Sequence, residues 1–183
     1  QLSGVGTQTK AALQWSTDGV TWKALYTVNG NTQSCTIPGE TFPAGRVYWQ
    51  IQITSSYGIL SNWAQANFMA VYAGATVTLT TPTSGSRDGG EQIPFAWSVN
   101  PGAGEIVKTI LETSSDDGLT WTTLVDENSL VTSYTADAGL FSAGTLKWRV
   151  TAYNQYQDPS EVTPVQASFT VTYSATSQVV PVN

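Results

Sequence analysis

The chain has 183 residues, with 7 Lys and Arg against 13 Asp and Glu, one Cys and no His, for a formal charge of −6. So few basic residues form no stripe that neutralises a phosphate backbone, which argues against a nucleic-acid partner. Without histidine there is no imidazole base, no His-dependent triad and no switch near neutral pH, and one Cys leaves neither a zinc ligand set nor an internal disulfide. Charged residues are 11% of the chain, against about 25% in ordinary domains. Ser, Thr, Asn and Gln take their place, a surface that suits cell exteriors, virions and glycans. No apolar run approaches the ~20 residues that cross a bilayer as a helix.

In chain order, the dominant local signal is alternation. Val47, Trp49, Ile51 and Ile53 point one way while Tyr48, Gln50 and Gln52 point the other, the pattern of a strand with one core face and one wet face. Ile93, Phe95, Trp97 and Val99 share a face in the same manner. So do Leu146, Trp148, Val150 and Ala152, with Lys147, Arg149 and Thr151 opposite. Turn residues fall between such segments at Pro82 to Gly90, Pro101 to Gly104, Asp116 to Gly118, Asp137 to Gly139 and Gln157 to Ser160. Short strands at this spacing, with no helical stripe of useful length, predict an all-β antiparallel sandwich.

The strands also repeat. Residues 10–72 recur as 108–173, with Trp22 and Trp121, and Trp49 and Trp148, each 99 positions apart. The run from Phe42 to Ile51 matches that from Phe141 to Val150 without a gap, and nearer the N-terminus Gly4, Gly6 and Lys10 fall on Gly102, Gly104 and Lys108. A self-similar period of this length marks a tandem array, and Gln1 then falls opposite Val99, inside a module.

Ile93-Pro94-Phe95-Ala96-Trp97-Ser98 supplies an inward Trp on a strand, and Leu140, Gly144, Trp148, Val150, Ala152 and Asn154 follow in the order of a turn and its following strand. In these features the chain resembles fibronectin type III modules, over about 75–174 in full and 1–73 in part. The resemblance implies strands A (76–81), B (92–99), C (107–113), C′ (120–125), E (131–136), F (145–153) and G (167–173) in the second repeat. One sheet is then A, B and E, and the other C′, C, F and G. Trp49 and Trp148 stand where the family has a Tyr, which places its corner hydrogen bond in question. The first repeat carries only C to G, so the expected division is a partial module at 1–73, a complete one at 74–174, and a linker or first strand of a further module at 175–183.

Without A and B, Leu13, Trp15, Trp49, Ile51, Ile53 and Phe68 lose their cover. At ~1.5 to 3 kcal/mol per large apolar side chain this is on the order of 10 kcal/mol, comparable to the stability of a domain. Three explanations fit: a fragment of a longer array, strands supplied by a preceding segment or chain, or strand exchange with a neighbouring copy. Residues 176–183 read as the A strand of a third module or as a donated strand. Cys35, the counterpart of Tyr134, is expected at an inward strand position as a small buried hydrophobe.

Ser114-Ser115-Asp116-Asp117-Gly118-Leu119-Thr120-Trp121 matches the S-x-D-x-G-x-T-W aspartate box of sialidases and other propeller proteins, and Ser16 to Trp22 is a shortened copy. The box is expected to be a structural hairpin in which Asp caps the turn and Gly takes positive φ. Asp126 and Glu127, the nearest approach to a glycosidase pair, read as solvated loop residues. Asp116, Asp117 and Asp158 are the candidate Ca²⁺ ligands, though their spacing fits no EF-hand loop. Ser86 to Gly90 reads as a turn. Tyr57 and Tyr156 fall at equivalent places on the F to G loop, where core packing demands no aromatic, and Trp63 has no aromatic counterpart in the second repeat; with Tyr153 they are the candidate contacts to a sugar ring or a protein, or they pack at a module junction.

The expected function is therefore a non-enzymatic spacer or adhesion stalk in a larger extracellular, cell-surface or virion assembly, without cofactor or metal. Its partners are neighbouring modules or subunits, including strand complementation of 1–73, and a surface glycan or protein. Low-charge, Thr-rich modules of this kind resemble those of bacterial surface proteins and bacteriophage tail or fibre proteins. The alternatives are a carbohydrate-binding accessory module and a fibre subunit completed by strand exchange.

Overall fold

The computed structural model describes residues 6–174, so the expected strand at 176–183 lies outside the described residues. The chain divides into two compact units between Tyr72 and Ala73. Unit one contains β1 (Gln8–Ser16), β2 (Lys23–Asn29), β3 (Gly45–Ser55) and β4 (Ala64–Ala70). They form a single antiparallel sheet in the order β2-β1-β3-β4.

Unit two contains β5 (Thr76–Thr81), β6 (Ser86–Asp88), β7 (Ile93–Asn100), β8 (Ile106–Ser114), β9 (Thr122–Glu127), β10 (Ser133–Ala136), β11 (Gly144–Asn154) and β12 (Val165–Thr172). One sheet runs β10-β7-β5 and the other β6-β12-β11-β8-β9. The strand membership is that of a fibronectin type III-like sandwich, with β10, β7 and β5 as E, B and A and β12, β11, β8 and β9 as G, F, C and C′. Ser86 to Asp88, expected as part of a turn, instead pair in parallel with Thr170 to Thr172. The chain leaves the first sheet after Thr81, turns through Pro82 and through Gly85 at φ 77°, and continues on the second.

The core of unit two sits between its sheets. Ile93, Phe95 and Trp97 on β7 meet Leu111 on β8, Leu146, Trp148 and Val150 on β11, and Phe169 and Val171 on β12. Phe95 is the hub: its ring makes edge contacts with Trp148 at 5.2 Å, Phe169 at 5.9 Å and Phe141 at 6.0 Å, the arrangement that the ring quadrupole favours. Trp148 is fully buried, and its Nε1 donates to the Pro82 carbonyl at 2.7 Å. A tyrosine latch exists elsewhere in both repeats: Tyr173 Oη donates to the Phe141 carbonyl at 2.6 Å, and Tyr72 Oη to the Phe42 carbonyl at 2.7 Å.

Unit one copies the second sheet of unit two, register included. Leu13 pairs with Ile51 as Leu111 pairs with Val150, and Val47 with Phe68 as Leu146 with Phe169. The covering sheet is what differs. Among the described residues, 31–44 form no strand, and Cys35 is exposed where an inward, buried position was expected. In unit two the equivalent strand, β10, pairs with β7; the described residues of unit one contain no counterpart of β7 for the backbone around Cys35 to pair with.

Replacing Trp148 with Phe keeps most of the ring but leaves the buried Pro82 carbonyl without its donor. The expected loss is about 1–3 kcal/mol, read as a lower urea midpoint for unit two at unchanged m-value.

Candidate functional site

The aspartate boxes are closed hairpins in both units. Ser114 Oγ donates to Asp116 Oδ1 at 2.7 Å and accepts from Gly118 N at 2.8 Å. Asp116 also accepts from the backbone N and the hydroxyl of Thr120. Asp117 at φ 63° and Gly118 at φ 91° make the reversal, and Trp121 Nε1 closes it on the Gly118 carbonyl at 3.1 Å. In unit one, Asp18 likewise accepts from Ser16 Oγ, Val20 N and Thr21 N. These bonds favour the ionised form: the Thr120 hydroxyl, foremost, with the Thr120 amide and Ser114, brings Asp116 down to about 2, and Ser16, then the Thr21 and Val20 amides, hold Asp18 well below the usual carboxylate range. A carboxylate so low and so fully engaged is no general acid at neutral pH.

The remaining acidic candidates are occupied separately. Asp117 pairs with Lys147 at 2.7 Å. Asp158 accepts from Ser160 Oγ and Ser160 N at the start of the short 3₁₀ turn Pro159–Glu161. Asp126 and Glu127 lie at the end of β9 and not on a loop, with Asp126 bound to Lys108 at 2.6 Å. Among the described residues no group of three His, Cys, Asp or Glu gathers as a metal site.

On the wet face the two units diverge at equivalent positions. In unit one, Gln65 Nε2 donates to Gln50 Oε1 at 2.9 Å and Gln50 Nε2 to Gln14 Oε1 at 2.7 Å, an amide row across β4, β3 and β1. In unit two, Arg149 replaces Gln50 and Glu112 replaces Gln14. Arg149 Nε donates to Glu112 at 2.7 Å, and its guanidinium lies 4.1 Å from the Trp121 ring centroid.

Each unit carries two of the four candidate aromatics. Tyr57 is 74% exposed and Trp63 36% exposed, both on the loop from β3 to β4 with exposed Ile59 and Leu60. Tyr153 and Tyr156 are half-buried, Tyr153 on β11 and Tyr156 on the loop after it. The two loop tyrosines also have a local structural task. A Cβ at Gly6 would meet the Tyr57 ring at 2.8 Å, and one at Gly104 would meet the Tyr156 ring at 2.8 Å; both glycines have positive φ. Each tyrosine thus packs over a glycine turn that leads into the next strand.

Beside Tyr156 lies a polar cluster that alternation does not flag. Fully buried Asn154 donates from Nδ2 to the Ala73 carbonyl at 3.0 Å and to the Pro101 carbonyl at 2.6 Å. Gln157 Oε1 accepts from Ala75 N at 2.7 Å. Together they hold residues 73–75 against the ends of β7 and β11. The signal in the sequence was the polar Asn154 and Gln157 at the end of an apolar alternation.

An open concave surface lies in unit one. The inward face of its sheet, with Leu13, Leu25, Trp49, Ile51 and Phe68, lines an open apolar groove of about 460 Å³ with Cys35 at its rim. Phe42 reaches partly over it, edge-on to Trp15 and Phe68 at 5.4 Å each. On β3 the outward Gln50 is buried, whereas on the core side Val47 is buried but Trp49 and Ile51 are only half-buried.

No protein-family model matches the sequence, and no curated protein matches it. Among solved structures, the chain is similar to the fibronectin(III)-like modules of Clostridium thermocellum CbhA at 14% identity and TM-score 0.46, covering 100% of this chain and 88% of that one. It is similar to the FN1–FN3 domains of chicken CNTN1 at 14% identity and TM-score 0.39, covering 90% and 58%. A two-domain fibronectin type III segment of chicken tenascin is similar at 8% identity and TM-score 0.44, covering 91% and 95%.

Two outcomes check the site chemistry. Because Asp116 titrates at about 2 when folded against 3.8 ordinarily, the unfolded chain takes up its proton first as the pH falls. Its stabilising effect is complete above about 3.8 and lost toward about 2, so Asp116→Asn flattens the acid limb of unit-two stability in that window, measured by urea titration at each pH. Asn154→Ala removes the Nδ2 bonds to the Ala73 and Pro101 carbonyls, of which the Ala73 carbonyl keeps the Ala103 amide as a donor, and is expected to cost about 1–3 kcal/mol by the same titration.

Proposed function

We propose that the chain is a non-enzymatic spacer or adhesion segment of tandem fibronectin type III-like modules within a larger extracellular, cell-surface or virion assembly, of the phage tail or fibre kind. The observation that carries this reading is where the polar chemistry is engaged. Among the described residues, each displaced carboxylate is displaced downward, by bonds that close turns or tie strand ends: Asp18 and Asp116 in the boxes, Asp88 by the Gly90 amide and the Ser174 hydroxyl, Asp158 at its 3₁₀ turn. Such groups stabilise backbone and are poor proton donors. The hydrogen bonds that Asn154 and Gln157 make to residues 73–75 support the same reading, since they bind the connecting segment into unit two. A surface poor in charge and rich in amides and hydroxyls suits a setting outside the cytosol. Its partners are neighbouring modules or subunits.

A second reading, glycan contact through Tyr57 and Trp63 with Tyr153 and Tyr156, is favoured by one observation: Tyr57 is largely exposed on a loop that also exposes Ile59 and Leu60. Glycan-array screening of the intact chain separates the two. Absence of binding is the expected result. Binding that disappears in Tyr57→Ala and Trp63→Ala would transfer the function to the second reading, and glycoside hydrolysis abolished by one Asp or Glu substitution would end the non-enzymatic one.

A further inference from the structure

We infer that the apolar face of unit one is the seat of an antiparallel β-strand pair with the chemistry of β5 and β7, which reaches the face through the turn at Gly6 and recruits the segment around Cys35 as its third strand. Unit two supplies the template. Leu111, Trp148, Val150 and Phe169 occupy the positions of Leu13, Trp49, Ile51 and Phe68 with matching register. In unit two Ile93, Phe95 and Trp97 lie over that face, and Phe169 is 3% exposed. In unit one nothing among the described residues takes their place, and Phe68 is 41% exposed. A groove with the same lining and the same spacing accepts the same wedge, an alternating strand that presents Phe and Trp two residues apart.

The route of entry is built as well. In unit two, β7 passes to β8 through a turn where Gly104 has φ 69°, its Cα lies under the Tyr156 ring, and Gln155 N donates to the Glu105 carbonyl at 3.3 Å. Unit one keeps the downstream half of that turn: Gly6 has φ 76°, its Cα lies under the Tyr57 ring, and Ser56 N donates to the Thr7 carbonyl at 2.8 Å. A glycine turn packed beneath an aromatic serves to bring a strand in from the covering sheet. Its presence ahead of β1 favours strands that arrive along the same polypeptide over strands from a second copy, which need no such turn.

The third strand follows from β10. There Tyr134 pairs with Phe95 and Ala136 with Ile93. Cys35 and Ile37 stand at the equivalent positions, and both line the rim of the open groove. With a strand beside them, their backbone gains the partner it lacks, and the Cys35 thiol turns from exposed to covered.

Cys35 is therefore the reporter. The intact chain is extended ahead of Gln1 by a copy of residues 75–98, which sets Gly6 in the place of Gly104, and Cys35 is alkylated with iodoacetamide. Labelling is expected to slow by about tenfold or more, since reaction then waits on local opening. The same extension carrying F95S and W97S in the added copy is expected to label at the rate of the unextended chain. As a second measurement, independent of how the extended chain folds, a synthetic peptide of residues 75–98 is titrated onto the unextended chain and is expected to slow labelling in a saturable way. Unchanged labelling in both formats overturns the inference, as does equal protection by the F95S/W97S control. A concentration-dependent dimer of the unextended chain with protected Cys35 overturns it in favour of a second copy.

Discussion

A β-sheet with tryptophan, leucine, isoleucine and phenylalanine on one side has to place that side against something apolar, and the edge-on packing of Phe95 against Trp148, Phe141 and Phe169 is how unit two does so. Phe95 sits on β7, the central strand of the smaller sheet, which pairs with β10 on one side and β5 on the other. That central position makes β7 the strand against which the other two are placed. β10 hydrogen-bonds to it alone, and β5 is held by it along most of its length. Among the described residues, unit one keeps the β2-β1-β3-β4 sheet but has no counterpart of that strand, so its inward face opens as a groove and the segment around Cys35 forms no strand.

Much of this was legible because alternation is a local code and a repeat lets one copy read the other. Leu146, Trp148, Val150 and Ala152 face the core as their spacing requires, and the box residues form the hairpin that Asp, Gly and Trp imply. The features that escaped depend on pairs far apart in sequence. The short strand β6 exists because the chain crosses from one sheet to the other and finds the end of β12, more than eighty residues on. The latches from Tyr72 and Tyr173 reach back about thirty positions to loop carbonyls, and nothing in the neighbourhood of either tyrosine reports that. Cys35 shows the opposite error: the repeat supplied the right register, but strand formation there depends on a neighbour that the described residues do not contain.

The same scaffold carries different chemistry on its two wet faces. Gln14, Gln50 and Gln65 bond to one another without charge, whereas Glu112 and Arg149 at equivalent places form an ion pair beneath Trp121. Neutral amide rows are indifferent to ionic strength, and ion pairs near the surface are not. The aromatic candidates divide along similar lines. Tyr57 and Tyr156 both sit over a glycine turn, yet only Tyr57 projects largely into solvent, so the structural task is shared and the opportunity for contact is not.

The small parallel strand β6 has one more consequence. It lies along β12 and so occupies part of the outer edge of the larger sheet in unit two, while in unit one the equivalent edge, β4, is the last strand of its sheet. Its sequence, Ala64-Gln65-Ala66-Asn67-Phe68-Met69-Ala70, holds none of the lysines or prolines that usually discourage a second strand from pairing. Three residues of β6 therefore occupy backbone groups of β12 that would otherwise be open to a further strand, whereas the outer edge of β4 stays open among the described residues.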